Sequence, residues 1–301
     1  MPMPRPIFII ASPRSGTSAL TWALGQHPNI SLQPETNWFP AIALSLKQAY
    51  RVGAQRGKFS QLGNAGMEFE AFAAHFGTAI DNISRDCFQR RVRQFIPDYF
   101  ERAEAPAAAD STAVKIIHAP SDPKLRFVDG TPEYSFTTYE LRLLFPQCKF
   151  IHILRRPEDV VNSLAHFENA GTDGKNLDYA SALAVWMKHT LASGMAAQAF
   201  GGGSVLRIRN QDLTTDPDAA LRRCFEFAGE EHAPRAAAVL ANKMNSSKAA
   251  DRLQRTIAAI SPLKEFARAK ELFDELNRSQ PDAAPDGKVL AGMRAAFDKA
   301  K

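Results

Sequence analysis

Cysteine is scarce in this chain of 301 residues. Cys87, Cys148 and Cys224 are odd in number, lie far apart and form no CxxC or Cys–His pair. This pattern argues against a disulfide framework and against a structural zinc site, and it suits a reducing compartment. No other cluster of metal-ligand residues is visible, so we expect no metal site.

Long apolar runs and long basic runs are also missing. The sequence contains no stretch of about 18 uninterrupted apolar residues, the length that could span a membrane. The apolar run in the first residues, MPMPRPIFIIAS, is too short for a signal peptide, and this segment is too rich in proline. No Lys/Arg block alternates with aromatic residues, so we expect no nucleic-acid partner. We therefore expect a soluble, cytoplasmic protein whose net charge of +5 favours anionic ligands without naming one.

Short apolar runs alternate with helical patterns along the chain. Residues 7–11 (IFIIA) read as a buried strand, residues 12–16 as a tight loop and residues 17–26 as a helix. Residues 149–154 (KFIHIL) read as a second buried strand that leads into another helix. Such alternation predicts an α/β fold of three layers, P-loop-like, with a central, mostly parallel sheet flanked by helices.

The remaining pattern predicts one domain over residues 1–301, with a mostly helical insertion at about 40–110. Further strands are predicted at 114–117, 126–128 and within 201–210, and further helices at 134–145, 157–169, 178–199 and 217–228. Five phenylalanines of the insertion could line a pocket or form its own core, and the second reading is favoured. They are Phe39, Phe59, Phe69, Phe72 and Phe76.

The loop between the first strand and its helix carries the sequence SPRSGTS, residues 12–18. Backbone N–H groups and the helix dipole at such a junction make a cradle for an anion. The loop lacks GxxxxGK[ST], so it is not a nucleotide triphosphatase loop, and taken alone it could be an ordinary turn. The candidate ligand contacts in this first loop are Arg14, Ser15, Gly16, Thr17 and Ser18.

A second basic loop follows the strand at 149–154. Arg155 stands at the end of that strand, and Ser163 follows two helical turns later. Ligands of such folds bind beyond the carboxyl ends of parallel strands, where both loops lie. Two separate anion sites there suit a nucleotide that is phosphorylated at both its 5′ and its 3′ positions.

At these two motifs the chain resembles the sulfotransferases that use 3′-phosphoadenosine 5′-phosphosulfate (PAPS). Their 5′-phosphosulfate motif, P-[RK]-S-G-[TS]-[TS], is matched by residues 13–18, and their 3′-phosphate motif, R-x-P-x-D-x-x-x-S, by residues 155–163. Residues 27–36, 128–134 and 211–229 also resemble segments of the family. The resemblance implies PAPS as sulfuryl donor, 3′-phosphoadenosine 5′-phosphate (PAP) as product, no metal requirement, and a small-molecule, carbohydrate, lipid or peptide acceptor.

Three positions depart from the family pattern. Gly130 stands where relatives often carry lysine, Asn210 where many carry tyrosine, and Ala19 where an aromatic residue often stacks on adenine. These departures concern the adenine contacts, which residues 245–248 could supply instead, and leave both phosphate motifs intact.

The resemblance offers two candidates for the general base that accepts the acceptor's proton. Glu35 lies where the carbohydrate and tyrosylprotein branches place a catalytic glutamate, and His118 lies near the catalytic histidine of the cytosolic branch. We favour Glu35, because the surrounding segments follow the glutamate branches. Arg14 would neutralise the charge that develops on the transferred group, and the helical insertion and the C-terminal tail would wall the acceptor pocket.

Two other functions stay open at this stage. The chain could be a P-loop-type kinase or nucleotide hydrolase that has lost its lysine, or a nucleotide-binding protein without catalytic activity. The absent GK[ST] motif and the lack of an obvious magnesium-binding aspartate argue against the first. The presence of both Glu35 and Arg14 argues against the second.

Overall fold

Five strands and thirteen helices make up the part of the chain that the structure describes. It is a computed structural model, and it describes residues 3–95, 124–167, 177–241, 249–282 and 284–300. The strands are β1 (Ile7–Ile10), β2 (Ile30–Leu32), β3 (Arg126–Asp129), β4 (Lys149–Leu154) and β5 (Val205–Arg209). The helices are α1 (Thr17–Leu24), α2 (Phe39–Ala54), α3 (Gln61–Asn64), α4 (Phe69–Phe95), α5 (Thr138–Leu144), α6 (Pro157–Ala165), α7 (Tyr179–Phe200), α8 (Asp212–Thr215), α9 (Pro217–Ala228), α10 (Arg235–Ala241), α11 (Ala249–Ile260), α12 (Lys264–Arg278) and α13 (Gly287–Lys299).

The five strands form one sheet in the order β2-β3-β1-β4-β5, and every pairing is parallel. β1 occupies the centre, where Ile7 lies opposite both Val128 and Lys149. The predicted α/β fold with a central parallel sheet is confirmed. Because all strands run the same way, the loops that follow them lie along one edge of the sheet, which we call the carboxyl edge.

The alternation of side chains along β1 divides the core into two halves. Phe8 and Ile10 belong to the apolar cluster on one face of the sheet, whereas Ile7 and Ile9 belong to the cluster on the other. All four side chains are fully buried. A strand covered on both faces explains why β1 reads as an unbroken apolar run, and it fixes the loop that follows within a rigid layer.

One predicted helix differs in detail from the structure, and one strand is absent from the prediction. The helix predicted over 134–145 is a 3-10 turn, Pro132–Phe136, followed by α5. β2 was not predicted, because three residues give too little alternation to recognise. The strand predicted at 114–117 lies outside the described residues.

The helices α2, α3 and α4 fall within the predicted insertion. Phe39 is fully buried against the sheet, and Phe69 and Phe72 pack on the same cluster. Phe59 is 72% exposed. Three of the five phenylalanines therefore pack on the core of the central sheet and not on a separate core of the insertion, whereas a role of this segment at the acceptor side stays a prediction.

α1 lies against the end of β3 at Gly130, without room for a side chain. A Cβ atom at this position would collide with Oγ1 of Thr21, which donates a hydrogen bond of 2.9 Å to the carbonyl of Thr17. The lysine that the family resemblance would place here would have to displace the hydroxyl of Thr21 and crowd the carbonyl of Thr17, so packing favours glycine.

We predict that Gly130→Ala lowers the free energy of unfolding by about 1–3 kcal/mol, because the added methyl group overpacks this contact. Urea denaturation would measure the change. Gly292→Ala in α13, where a Cβ meets nothing within 4 Å, is the matched control and should stabilise by about 0.5–1 kcal/mol. An equal loss in a Thr21→Ala background would show that the contact with Thr21 is not the cause.

Candidate functional site

The loop between β1 and α1 directs its carbonyl groups back into the protein. Four of its carbonyl oxygens accept hydrogen bonds from other protein groups. The pairs, acceptor first, are Ser12 with the N–H of Ser15 at 3.2 Å, Arg14 with Nη1 of Arg155 at 2.5 Å, Ser15 with Nδ2 of Asn210 at 2.8 Å and Gly16 with the N–H of Leu20 at 3.0 Å. The negative ends of these peptide groups are thereby occupied.

In contrast to these carbonyl oxygens, the N–H groups at the start of α1 are not paired with other groups of the described residues. Those of Gly16, Thr17 and Ser18 have no hydrogen-bond acceptor among the residues that the structure describes. Gly16 adopts φ 100°, a left-handed conformation that favours glycine. Unpaired N–H groups at the amino end of an eight-residue helix are able to bind an anion, so this geometry is compatible with the predicted cradle, which stays a prediction.

The side chain of Arg14 reaches the second basic loop. Its Nε donates a hydrogen bond of 3.1 Å to Oγ of Ser163, and its guanidinium carbon lies 4.1 Å from the centre of the Phe167 ring. Arg14 has φ 68°, an uncommon conformation for a residue with a side chain. The first loop therefore lies beside the carboxyl-terminal half of α6.

Arg155 is held by two backbone contacts. Its Nη1 bonds to the carbonyl of Arg14, and its own carbonyl accepts a hydrogen bond of 3.0 Å from Nε1 of Trp186. Its Nε is buried and has no partner among the described residues. Burial lowers the pKa of Arg155, Asp159 opposes that change and Arg14 adds to it. Two neighbouring guanidinium groups, one with an unpaired buried N–H, suit an anion better than a neutral ligand.

Glu35 lies in the loop between β2 and α2. Its side chain is exposed and makes no hydrogen bond or ion pair with any residue in the described part of the chain. Its partial burial and the charge of Glu133 both raise the pKa of Glu35 above its usual value. A carboxylate with a raised pKa is a stronger base than an ordinary glutamate.

A buried hydrogen-bond network anchors the residue beside Glu35. Asp129, at the end of β3, accepts hydrogen bonds of 2.7 Å from Oγ1 of Thr36 and of 2.7 and 3.0 Å from the hydroxyl and N–H of Thr131. The hydroxyl of Tyr134 also bonds to Oγ1 of Thr36. Burial raises the pKa of Asp129 to about 6, although the hydrogen bonds from Thr36 and Thr131 oppose the change.

Sheet order arranges these groups in a line along the carboxyl edge. Glu35 follows β2, the anion cradle follows β1, Arg155 follows β4 and Asn210 follows β5. Because neighbouring strands lie about 4.8 Å apart, the ends of β2 and β1 are separated by about 10 Å. The cradle therefore lies between the candidate base on one side and the arginine on the other.

Asp129 and Asn210 are the two residues of this site whose roles the sequence did not reveal. In the sequence, Asp129 is one residue of the family-like segment at 128–134, and Asn210 is a departure from the family pattern. Neither fact indicates what the side chain contacts. The contacts that assign them a role join parts of the chain that are far apart in sequence. His118 and residues 245–248 lie outside the described residues, so the competition between Glu35 and His118 stays open.

Two cavities lie at opposite edges of the sheet. One of about 250 Å³ adjoins Arg155 and Asn210 at the carboxyl edge, and one of about 570 Å³ lies between α5, the end of α7 and α13, away from the anion cradle. Although the second is larger, the first is lined by Arg155, Asp159 and Asn210, whereas Arg14 and Glu35 line neither cavity. Within the described ranges, no three Cys, His, Asp or Glu residues gather as a metal-binding group.

Residues 6–234 match the model of the sulfotransferase family. The chain belongs to this family. Curated relatives of this sulfotransferase-family protein include nodulation protein NoeE of Sinorhizobium fredii (28% identical over 54% of the chain and 32% of the relative) and protein-tyrosine sulfotransferase A of Caenorhabditis elegans (23% over 73% and 49%). The chain thus spans only a third to a half of the length of these relatives.

Solved structures similar to this family member are also sulfotransferases. The sulfotransferase domain from the curacin biosynthetic pathway is 18% identical, with a TM-score of 0.47, over 100% of this chain and 99% of that one. Sulfotransferase STF1 from Mycobacterium tuberculosis H37Rv is 16% identical, with a TM-score of 0.47. The match covers 91% of this chain and 78% of that one. In the described part of this chain, no helix has the length and hydrophobicity of a membrane span.

The raised pKa of Asp129 predicts a pH-dependent loss of stability. The folded protein holds the Asp129 proton up to about pH 6, whereas the unfolded chain releases it near its ordinary value of 3.8. The free energy of unfolding, measured relative to Asp129→Asn, should therefore fall by roughly 3 kcal/mol as pH rises through this interval. Urea denaturation of both proteins across that range would test this, and parallel pH curves would contradict it.

Proposed function

We propose that this protein transfers a sulfuryl group from PAPS to a hydroxyl or amine of an acceptor. The observation that carries the proposal is the pairing of two anion sites on neighbouring strands: the free N–H groups after β1 and the buried, unpaired Nε of Arg155 after β4. A nucleotide with phosphates at both ends would bind both sites at once. Family membership supports the same reading.

PAPS fits the residues that are present. The N–H groups of Gly16, Thr17 and Ser18 would hold its 5′ end, and Arg155 with Ser163 would hold its 3′-phosphate. PAPS supplies an activated sulfuryl group and leaves as PAP. Each charge-assisted hydrogen bond contributes about 1.5–3 kcal/mol, so a few of them account for micromolar affinity.

Arg14 lies where it would serve both ends of the donor. Its side chain contacts Ser163, while its backbone forms part of the first loop. A guanidinium group at this position would stabilise the negative charge that develops as the sulfur–oxygen bond to the phosphate breaks. Together with the amino end of α1, it supplies positive charge from the protein itself.

Glu35 would act as the general base from the acceptor side. Its carboxylate takes the proton of the acceptor while the acceptor's oxygen or nitrogen forms its bond to sulfur. The network of Asp129, Thr131 and Tyr134 holds Thr36 and thereby orients the loop that carries Glu35. The charge of Glu133 raises the pKa of Glu35 and strengthens it as a base.

The acceptor side of the cradle lies next to β2, β3 and the helical segment α2–α4. The relatives include a nodulation protein and a protein-tyrosine sulfotransferase, and this chain's acceptor can be a small molecule, carbohydrate, lipid or peptide. Mass spectrometry of cell extracts incubated with the protein and PAPS would identify it through products that have gained one SO₃ group.

We predict that the 3′-phosphate is recognised through Arg155. The wild-type protein should bind PAP more tightly than 5′-AMP, and Arg155→Met should weaken PAP binding by about 10- to 100-fold and 5′-AMP binding by clearly less, since Arg155 also holds the carbonyl of Arg14 in the 5′ loop. Isothermal titration calorimetry measures both. Arg156→Met, which removes the exposed neighbouring arginine, is the matched control and should change PAP affinity by less than about threefold.

The same titrations separate the alternative functions. Tight binding of ATP with Mg²⁺, together with equal affinity for PAP and 5′-AMP, would favour a kinase or nucleotide hydrolase over a sulfotransferase. Radiolabelled PAPS with a broad acceptor panel tests for a nucleotide-binding protein without activity, because any labelled product excludes that reading.

We predict that Glu35→Gln lowers sulfuryl-transfer turnover by about 10²-fold or more. PAP affinity should stay within about threefold of wild type, because Glu35 lies on the acceptor side of the cradle. Turnover is measured with the acceptor found by mass spectrometry. Near-normal turnover of this variant would assign the base to His118, which His118→Gln tests in parallel, or to another residue.

Glu133→Gln is the matched control for that variant. It removes a carboxylate near Glu35 but keeps the proposed base, so turnover should persist. Because the charge of Glu133 raises the pKa of Glu35, its removal should shift the acidic limb of the pH–turnover profile to lower pH. An unchanged profile in this variant would mean that another group controls that limb.

A further inference from the structure

We infer that Asn210 is a positioning residue that orients the peptide between Ser15 and Gly16 toward the 5′ end of the donor. This inference rests on the proposed function, since it concerns the same cradle. The side-chain amide of Asn210 donates a hydrogen bond of 2.8 Å to the carbonyl of Ser15. The two residues are 195 positions apart in the chain, so the contact arises only in the folded protein.

The planar peptide bond transmits this contact to the ligand side. In a trans peptide, the C=O and the following N–H point in opposite directions. Because Asn210 holds the Ser15 carbonyl on the β5 side, the N–H of Gly16 must point away from it. That N–H is one of the three unpaired donors of the cradle, so Asn210 sets the direction of a group that would touch the donor.

Gly16 and Asn210 also pack directly against each other. A Cβ atom at position 16 would lie 2.7 Å from Nδ2 of Asn210. The positive φ of Gly16 favours glycine, and a Cβ atom there would displace the amide of Asn210, so together they leave the peptide little freedom to rotate. The loop is thus held in its binding conformation before any ligand arrives.

Strand pairing fixes Asn210 itself. Its N–H donates a hydrogen bond of 2.8 Å to the carbonyl of Leu154, the last residue of β4. Leu154 pairs with Arg209 and immediately precedes Arg155. The β4–β5 pair therefore positions both the arginine proposed for the 3′-phosphate and the amide that orients the 5′ cradle.

Calorimetry with two nucleotides tests the inference. PAP carries a 5′-phosphate and 3′-AMP lacks it, so only PAP senses the orientation of the Gly16 N–H. Asn210→Ala should weaken PAP binding by about tenfold and change 3′-AMP binding by less than about twofold. Asn210→Asp keeps the side-chain shape but replaces the donor with a carboxylate, so it should weaken PAP binding further. Thr215→Ala, at an exposed position of α8 that does not line the cavity beside Arg155 and Asn210, is the control and should leave both affinities unchanged.

The outcomes separate this inference from the proposed function. Equal losses for PAP and 3′-AMP in Asn210→Ala would show a general structural role and overturn the inference, as would unchanged PAP affinity or retained affinity in Asn210→Asp. A wild-type protein that binds PAP no more tightly than 3′-AMP or 5′-AMP would instead overturn the proposed function. Thermal unfolding of each variant verifies that the compared proteins are folded.

Discussion

The proposed site depends on the inward direction of the carbonyl groups in the loop after β1. A loop of this length could present either its C=O or its N–H groups to the cleft, and the choice decides whether it attracts a cation or an anion. Here the guanidinium of Arg155 and the amide of Asn210 occupy two carbonyls that would otherwise face a phosphate. Neither group comes from the loop itself, so the polarity of the cradle is a product of tertiary structure.

The buried carboxylate of Asp129 shows that the acceptor side of the edge is built at a cost in stability. A carboxyl group with no exposed surface is expensive to ionise, even with three hydrogen bonds. Its hydrogen-bond donors are Thr36 in the β2–α2 loop and Thr131 in the turn after β3, so Asp129 links these two segments. This arrangement trades folding free energy for a fixed position of Thr36, and hence of the loop that carries Glu35.

The sequence was most informative where structure is local. The buried strand at Ile7–Ile10, its glycine-containing loop and the helix after it follow from about twenty consecutive residues, and so does Arg155 at the end of β4. The contact between Arg14 and Ser163 could not be read in this way, because it joins residues 149 positions apart. The roles of Asp129 and Asn210 depend in the same way on strand order, and no local pattern encodes strand order.

The order β2-β3-β1-β4-β5 has a further consequence for how such a protein can diversify. Groups proposed to hold the donor follow β1, β4 and β5, whereas the proposed base and the network beside it follow β2 and β3. On the sheet, β2 and β3 lie on one side and β1, β4 and β5 follow on the other, so the two sets occupy separate parts of the carboxyl edge. The half proposed for the acceptor could therefore be remodelled by changes around α2–α4 while the groups proposed for the nucleotide stay in place, a modular division that would let one donor serve different acceptors.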